Sequence, residues 1–248
     1  MPNNDDWVRA LVGAQALGPP GVSALFGSGL SLPIQPVKRK VYFAFRFKDI
    51  MRVNNVRQSG KIGSDEIKNA RSFYDRSMWE QRAIHDPESL KRLMREGVEH
   101  SSAVCVLVGS DTWQSRWVKY EIARAVIDKK GLLSIGINCL AHVGTQTADK
   151  PGLNPLWFLG VYKDPNKRCY LAERRYIPVS TFPVQHDWRW QRYDDYTDPV
   201  AWPPYLPTKS DYNVSALSEG TLHYEYVAEA GSKNIGAWID FAAKQAGR

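Results

Sequence analysis

The sequence predicts an α/β fold in which helices cover a parallel sheet, and three observations carry that prediction. Ala103-Val-Cys-Val-Leu-Val-Gly109 is an uninterrupted apolar run closed by glycine, as expected of a strand buried on both faces. The segment after it places Val118, Ile122, Ala125 and Val126 on one helical stripe, with Trp117, Tyr120, Glu121 and Arg124 on the neighbouring face. Upstream, Lys40-Val-Tyr-Phe-Ala-Phe-Arg46 alternates and is rich in aromatics before it breaks into the helical stretch 50–57. Both strand-to-helix connections would gather at the carboxyl edge of the strands, where parallel α/β sheets bind ligands.

Read in chain order, the first 37 residues form an N-terminal extension. Residues 10–37 contain no charge, yet Pro19, Pro20, Pro33 and Pro36 with five glycines break any membrane-spanning helix. Asn3, Asn4, Asp5 and Asp6 contradict the basic start of a signal peptide. A short helix over about 5–16 is expected, followed by a loop that packs on its own domain or on another protomer through Val22-Ser-Ala-Leu-Phe26.

From residue 38 the chain reads as one elaborated domain running to 248. After the first strand and helix, Ser72-Phe-Tyr-Asp-Arg-Ser-Met-Trp79 is a short aromatic stretch placed in a second strand-to-helix connection. The helix beyond it keeps Leu90, Leu93, Met94 and Val98 at helical spacing. Ser110, Asp111, Thr112 and Ser115 all offer oxygens that can cap the helix carrying Glu121. A further buried strand spans 132–138. Residues 140–215, rich in Pro, Trp and Tyr, read as a long ordered insertion, because disorder would carry fewer aromatics. Leu222-His-Tyr-Glu-Tyr-Val227 then alternates like a strand, and Ser232 can cap a last helix with Ile235, Trp238, Ile239 and Ala242 on one face.

With 248 residues and 43% hydrophobic content the chain can bury a substantial core. Its formal net charge of +7 favours anionic ligands such as a dinucleotide. No nucleic-acid partner is expected, since basic residues are dispersed and no helix-turn-helix, zinc-finger or RNA-recognition signature is present. Cys105, Cys139 and Cys169 form no C-x-x-C pattern and the histidines no H-E-x-x-H spacing, so neither a disulfide framework nor a metal site is expected. Nor is there a P-loop. The composition is that of a cytoplasmic protein without a membrane segment.

Several of these residues carry a family resemblance. Phe43-Ala-Phe45 with Asp49, then Phe73-Tyr-Asp75-Arg-Ser77-Met-Trp79-Glu80, then Val106-Leu-Val-Gly109 with Thr112, Ser115, Trp117-Val118 and Tyr120-Glu121, together resemble the bacterial TIR-like family that includes the TIR proteins of Thoeris anti-phage systems. The likeness runs from about 39 to 138 and resumes around 234–240. It implies a flavodoxin-like TIR fold whose catalytic members cleave NAD at the nicotinamide-ribose bond, with NAD as substrate and no further cofactor. It also implies that Glu121, in the pattern W-V-x-Y-E, is the catalytic residue.

The chemistry is compatible with a single carboxylate. Nicotinamide leaves a cationic pyridinium as a neutral molecule, so no general acid is needed of the kind that glycosidases supply with a second carboxyl. One carboxylate can hold the ribose hydroxyls and face the developing positive charge. Phe45, Phe47, Trp79 and Trp117 are candidate walls for the bases, Arg46 a candidate for the diphosphate, and Asp75 and Ser77 further candidates for substrate contact. The resemblance further implies self-association, a phage-derived trigger, and a small-molecule signal received by a separate effector. The expected product is a cyclic ADP-ribose-type signal, with ADP-ribose or a conjugate standing as alternatives at this point. Two other readings stand beside this one: a non-catalytic TIR interaction module in which Glu121 merely pairs with Arg124, and a nucleoside deoxyribosyltransferase-like enzyme using the same carboxylate as nucleophile.

Overall fold

A computed structural model describes residues 39–58, 86–141, 146–181 and 184–248. The expected helix at 5–16, the Val22–Phe26 segment and the aromatic stretch 72–79 lie outside the described residues. Residues 39–248 form one compact unit.

Four parallel strands make the central sheet: β1 (Val41–Ala44), β2 (Ala103–Val108), β3 (Gly131–Gly136) and β8 (Leu222–Glu225), in the order β1-β2-β3-β8. Val41 stands opposite Ala103, and Ala103 opposite Gly131, so the first three strands start level. Every residue of β2 and β3 is buried, which explains their continuous apolar sequence. Alternate side chains serve opposite faces. Phe43, Cys105, Leu107, Leu133 and Ile135 pack with helices α1 (Ile50–Arg57) and α4 (Gly231–Gln245). Ala44, Val104, Val106, Val108 and Leu132 pack with α2 (Pro87–Glu99) and α3 (Arg116–Ile127).

The helix ends follow local chemistry. The Asp86 carboxylate accepts the Ser89 N–H at 2.9 Å with Pro87 in the first turn, and Ser115 is the residue that caps α3, through the Val118 N–H. The last helix begins at Gly231 and not behind Ser232. Ala230 takes a left-handed turn with φ 52, and Gly231 follows so close to the Tyr226 ring that a Cβ would sit 2.3 Å from it. Gly131 is similarly constrained, since a Cβ there would lie 2.5 Å from the Ala242 carbonyl group. Backbone cannot rotate away, so Gly131→Ala should cost about 2 kcal/mol or more, read as a lower urea midpoint at unchanged slope.

The region after β3 builds a second, antiparallel sheet from β4 (Leu159–Lys163), β5 (Cys169–Thr181), β6 (Val184–Arg192) and β7 (Ser215–Ala216), ordered β6-β5-β4-β7. Its residues Leu156, Leu159, Val161, Leu171, Tyr193, Leu206 and Leu217 join the same apolar cluster as Val118, Ile122 and Val126 of α3. Lys119 of α3 bonds Glu173 of β5 at 2.9 Å, and Arg116 and Lys91 both reach Asp195. Helix α3 is therefore clasped between two sheets. Beyond the pairing with β4, which ends at Glu173, strands β5 and β6 continue as a two-stranded ribbon. Its base is fixed by a train of rings, Trp113 on Phe158 at 5.1 Å, Phe158 on Trp188 at 5.1 Å and Trp188 on Tyr176 at 5.3 Å. Among the described residues no helix is long and apolar enough to cross a membrane.

Candidate active site

Glu121 is the sixth residue of α3 and only 6% exposed. It lies below the rim of the sheet rather than at the mouth of the strand-to-helix loop. Its Oε1 accepts a 2.6 Å hydrogen bond from the hydroxyl of Tyr42, the second residue of β1. Arg124 does not engage it, because that guanidinium bonds Asp128 at 2.5 Å. The solvated Glu121–Arg124 pair is thus absent. Burial pushes the Glu121 carboxyl up to about 8, and the Tyr42 hydrogen bond opposes that rise. A perturbed, isolated carboxyl of this kind marks a functional candidate.

Trp117 stands one turn earlier on the same side of α3, about 6 Å nearer the rim. It packs beside Leu90 and Met94 of α2 and Tyr120, with the Arg116 guanidinium 5.4 Å from its ring centroid. Trp117 thus stands in the contact between α2 and α3, while Glu121 and Tyr42 meet between α3 and the sheet.

Arg46 and Phe47 follow β1 at the carboxyl edge, about 13 Å along the strand direction from Tyr42. Arg46 bonds Asp111 at 2.5 Å, and Lys48 reaches the other Asp111 oxygen at 2.6 Å. Ser110 receives a hydrogen bond from Lys48 at 2.8 Å and donates to Asp149 at 3.0 Å. The loops after β1, β2 and β3 are tied more deeply by Asp49 and Arg52. Asp49 is fully buried beside Gly109, where a Cβ would lie 2.3 Å from its Oδ2. Arg52 bonds Asp49 at 3.1 Å and donates to the Leu140 carbonyl at 2.9 Å. Burial raises the Asp49 carboxyl while Lys48 and Arg52 pull it back.

Phe45 does not join Glu121. It is buried on the opposite sheet face with Val53 and Val56, and Arg57 sits 5.4 Å from its ring centroid. Phe45→Ala is expected to lose about 3 kcal/mol of stability, with kinetic constants unchanged in the folded fraction, as checked by denaturant unfolding beside steady-state rates. Asp75, Ser77 and Trp79 lie outside the described residues. Sequence reasoning passed over Tyr42 and Arg52, and took Asp111 only as a possible helix cap, whereas it pairs with Arg46 and Lys48. Only Tyr42 left a signal: the alternation of its strand sets it with Ala44 on the face covered by α3. Among the described residues, no cluster of three or more His, Cys, Asp or Glu could hold a metal ion.

A four-stranded parallel sheet between helix layers, with a buried glutamate on the helix after its second strand, defines a TIR-like domain. Residues 42–141 match the family model for the TIR-like domain of the Thoeris protein ThsB. The likeness extends further. A relative from Bacillus cereus (strain MSX-D12), named "Putative cyclic ADP-D-ribose synthase ThsB1", is 28% identical over 207 residues, 82% of this chain and 99% of the relative. The match therefore takes in more of the chain than the domain alone.

Proposed function

We propose that this chain is an anti-phage defence enzyme of the Thoeris type that breaks the nicotinamide-ribose bond of NAD and closes the remainder into a cyclic ADP-ribose. The observation that carries this reading is Glu121, a lone buried carboxyl in the W-V-x-Y-E pattern with one hydroxyl as its described hydrogen-bond donor. Likeness to a relative named as a cyclic ADP-ribose synthase supports the product class.

In this mechanism the C1′–N bond breaks heterolytically, and nicotinamide keeps the bonding electrons and departs neutral. The ionised Glu121 faces the oxocarbenium-like ribose, a charge interaction that strengthens as the bond opens. A nucleophilic atom within the same ADP-ribose then attacks C1′ and closes the ring, whereas attack by water would give ADP-ribose. Exclusion of water by the second sheet and its ribbon would favour closure. In this reading Trp117, one turn toward the rim, lines the approach to Glu121; its helical position supports the assignment. Arg46 and Lys48, now shared with Asp111, are cations that a diphosphate at the carboxyl edge could recruit. The reaction would run in the cytoplasm, in a self-associating enzyme switched on by a phage-derived trigger, with the product read by a separate effector.

The test is incubation of purified protein with NAD, with and without lysate from phage-infected cells, and mass spectrometry of the products. Nicotinamide release with a product of cyclic ADP-ribose mass supports the proposal, and ADP-ribose alone would make the chain a simple hydrolase. No release under either condition would favour the interaction module, and turnover of deoxynucleosides would favour the transferase reading.

A further inference from the structure

We propose that Tyr42 is a positioning residue for Glu121, its hydroxyl holding Oε1 and leaving Oε2 as the oxygen that meets the substrate ribose. The inference rests on the assignment of Glu121 as the catalytic carboxylate and adds a residue outside the W-V-x-Y-E pattern. Three observations join in it. The hydroxyl lies 2.6 Å from Oε1, and no second donor to Glu121 is found among the described residues. The Tyr42 ring is itself held from behind. A Cβ on Gly97 of α2 would lie 2.5 Å from ring atom Cε2 and 3.0 Å from Cδ2, so the helix closes on the ring because position 97 has no side chain. From below, β1 fixes Tyr42 opposite Val104 of β2.

The charges on the packed elements point elsewhere. Lys91 of α2 bonds Glu88 and Asp195, and Arg124 of α3 bonds Asp128. Lys91, Arg95 and Arg124 bear on Tyr120, whereas the influences on Glu121 are burial and Tyr42. The hydroxyl is thus the described group that favours the ionised carboxylate, since an O–H donates more strongly to a carboxylate than to a neutral acid. It both aims the carboxyl and lowers the cost of its charge.

Tyr42→Phe tests the proposal, because it removes one oxygen and keeps the ring. Two readouts apply: the titration of the Glu121 carboxyl carbon by NMR, assigned by its loss in Glu121→Gln, and the pH profile of NAD cleavage. The Glu121 midpoint should rise by about one unit, and the acid limb of kcat/KM should rise with it. At neutral pH, kcat/KM should fall about tenfold, while kcat, governed by the lower pKa of the NAD complex, should fall less, at nearly unchanged melting temperature. Gly97→Ala, which displaces the ring, should move the midpoint in the same direction and serves if Tyr42→Phe does not fold. An active wild type whose Glu121 midpoint and pH profile are unmoved by both changes would overturn the positioning role alone. A wild type that releases no nicotinamide would overturn the NAD assignment and this role with it.

Discussion

Glu121→Gln is expected to lower NAD cleavage at least a hundredfold while leaving the protein folded. The amide keeps the volume and can still accept the Tyr42 hydroxyl, so the contact at 2.6 Å has a neutral substitute. What disappears is the negative charge opposite the oxocarbenium ion. Loss of one such electrostatic contribution costs about 3 kcal/mol, roughly two orders of magnitude in rate. The comparison should be made by nicotinamide release at saturating NAD, with circular dichroism and thermal melts as controls for folding. A folded Gln variant that turns over at nearly the wild-type rate would refute the assignment.

The second large effect is a pH dependence in which activity and stability run in opposite directions. With its pKa raised from 4.5 to about 8, Glu121 is mostly protonated in the free protein at neutral pH. Only the ionised form can face the developing cation. The kcat/KM of the wild type should therefore climb about tenfold per pH unit up to the neighbourhood of the free-enzyme pKa and then level. The kcat profile should break at lower pH, because the pyridinium charge of bound NAD favours the carboxylate. Stability follows the other sign. Between the ordinary value of 4.5 and about 8 the folded state binds more protons at this site than the unfolded chain. Its contribution to stability is fully present below that window and is lost progressively as pH rises through it. Glu121→Gln lacks this loss, so by pH 8.5 it should be more stable than the wild type by a few kcal/mol. Parallel urea titrations of both proteins across the window check the sign, and curves that do not diverge would mean that Glu121 ionises as an ordinary exposed carboxyl.

Much of the parallel sheet was legible because burial on both faces writes itself as a continuous apolar run, as in Ala103–Val108. Glu121 was legible through its spacing from Trp117 and Tyr120. Its depth was not, because a helical wheel fixes a face but cannot say what covers it. Glu121 shares its side with Trp117 and Arg124, which reads as solvated until α2 and Tyr42 close over it. The second sheet was hidden for another reason. Strand β6, Val-Gln-His-Asp-Trp-Arg-Trp-Gln-Arg, is polar through most of its length, and β5 carries Glu173, Arg174, Arg175 and Pro178. Such strands earn their place by pairing and by ring contacts like Tyr176 on Trp188, which period-two hydrophobicity does not record. Phe45 illustrates the converse: an aromatic beside the loop after β1 belongs to the opposite core.

The clasp on α3 bears on how far this protein can be divided. Leu156, Leu159, Leu171 and Leu217 complete the cluster that buries Val118, Ile122 and Val126, so the outer wall of the helix carrying Glu121 is made by residues beyond the matched span 42–141. Gly152 comes so near the loop after β2 that a Cβ on it would sit 1.9 Å from the Gly109 carbonyl oxygen. A chain cut back to the TIR-like span would strip that wall and expose a leucine-lined seam to water. The later sheet is consequently not a detachable module that evolution or an engineer can exchange while keeping the helix of Glu121 intact, whereas the ribbon beyond Glu173, past the pairing with β4, is free of that constraint.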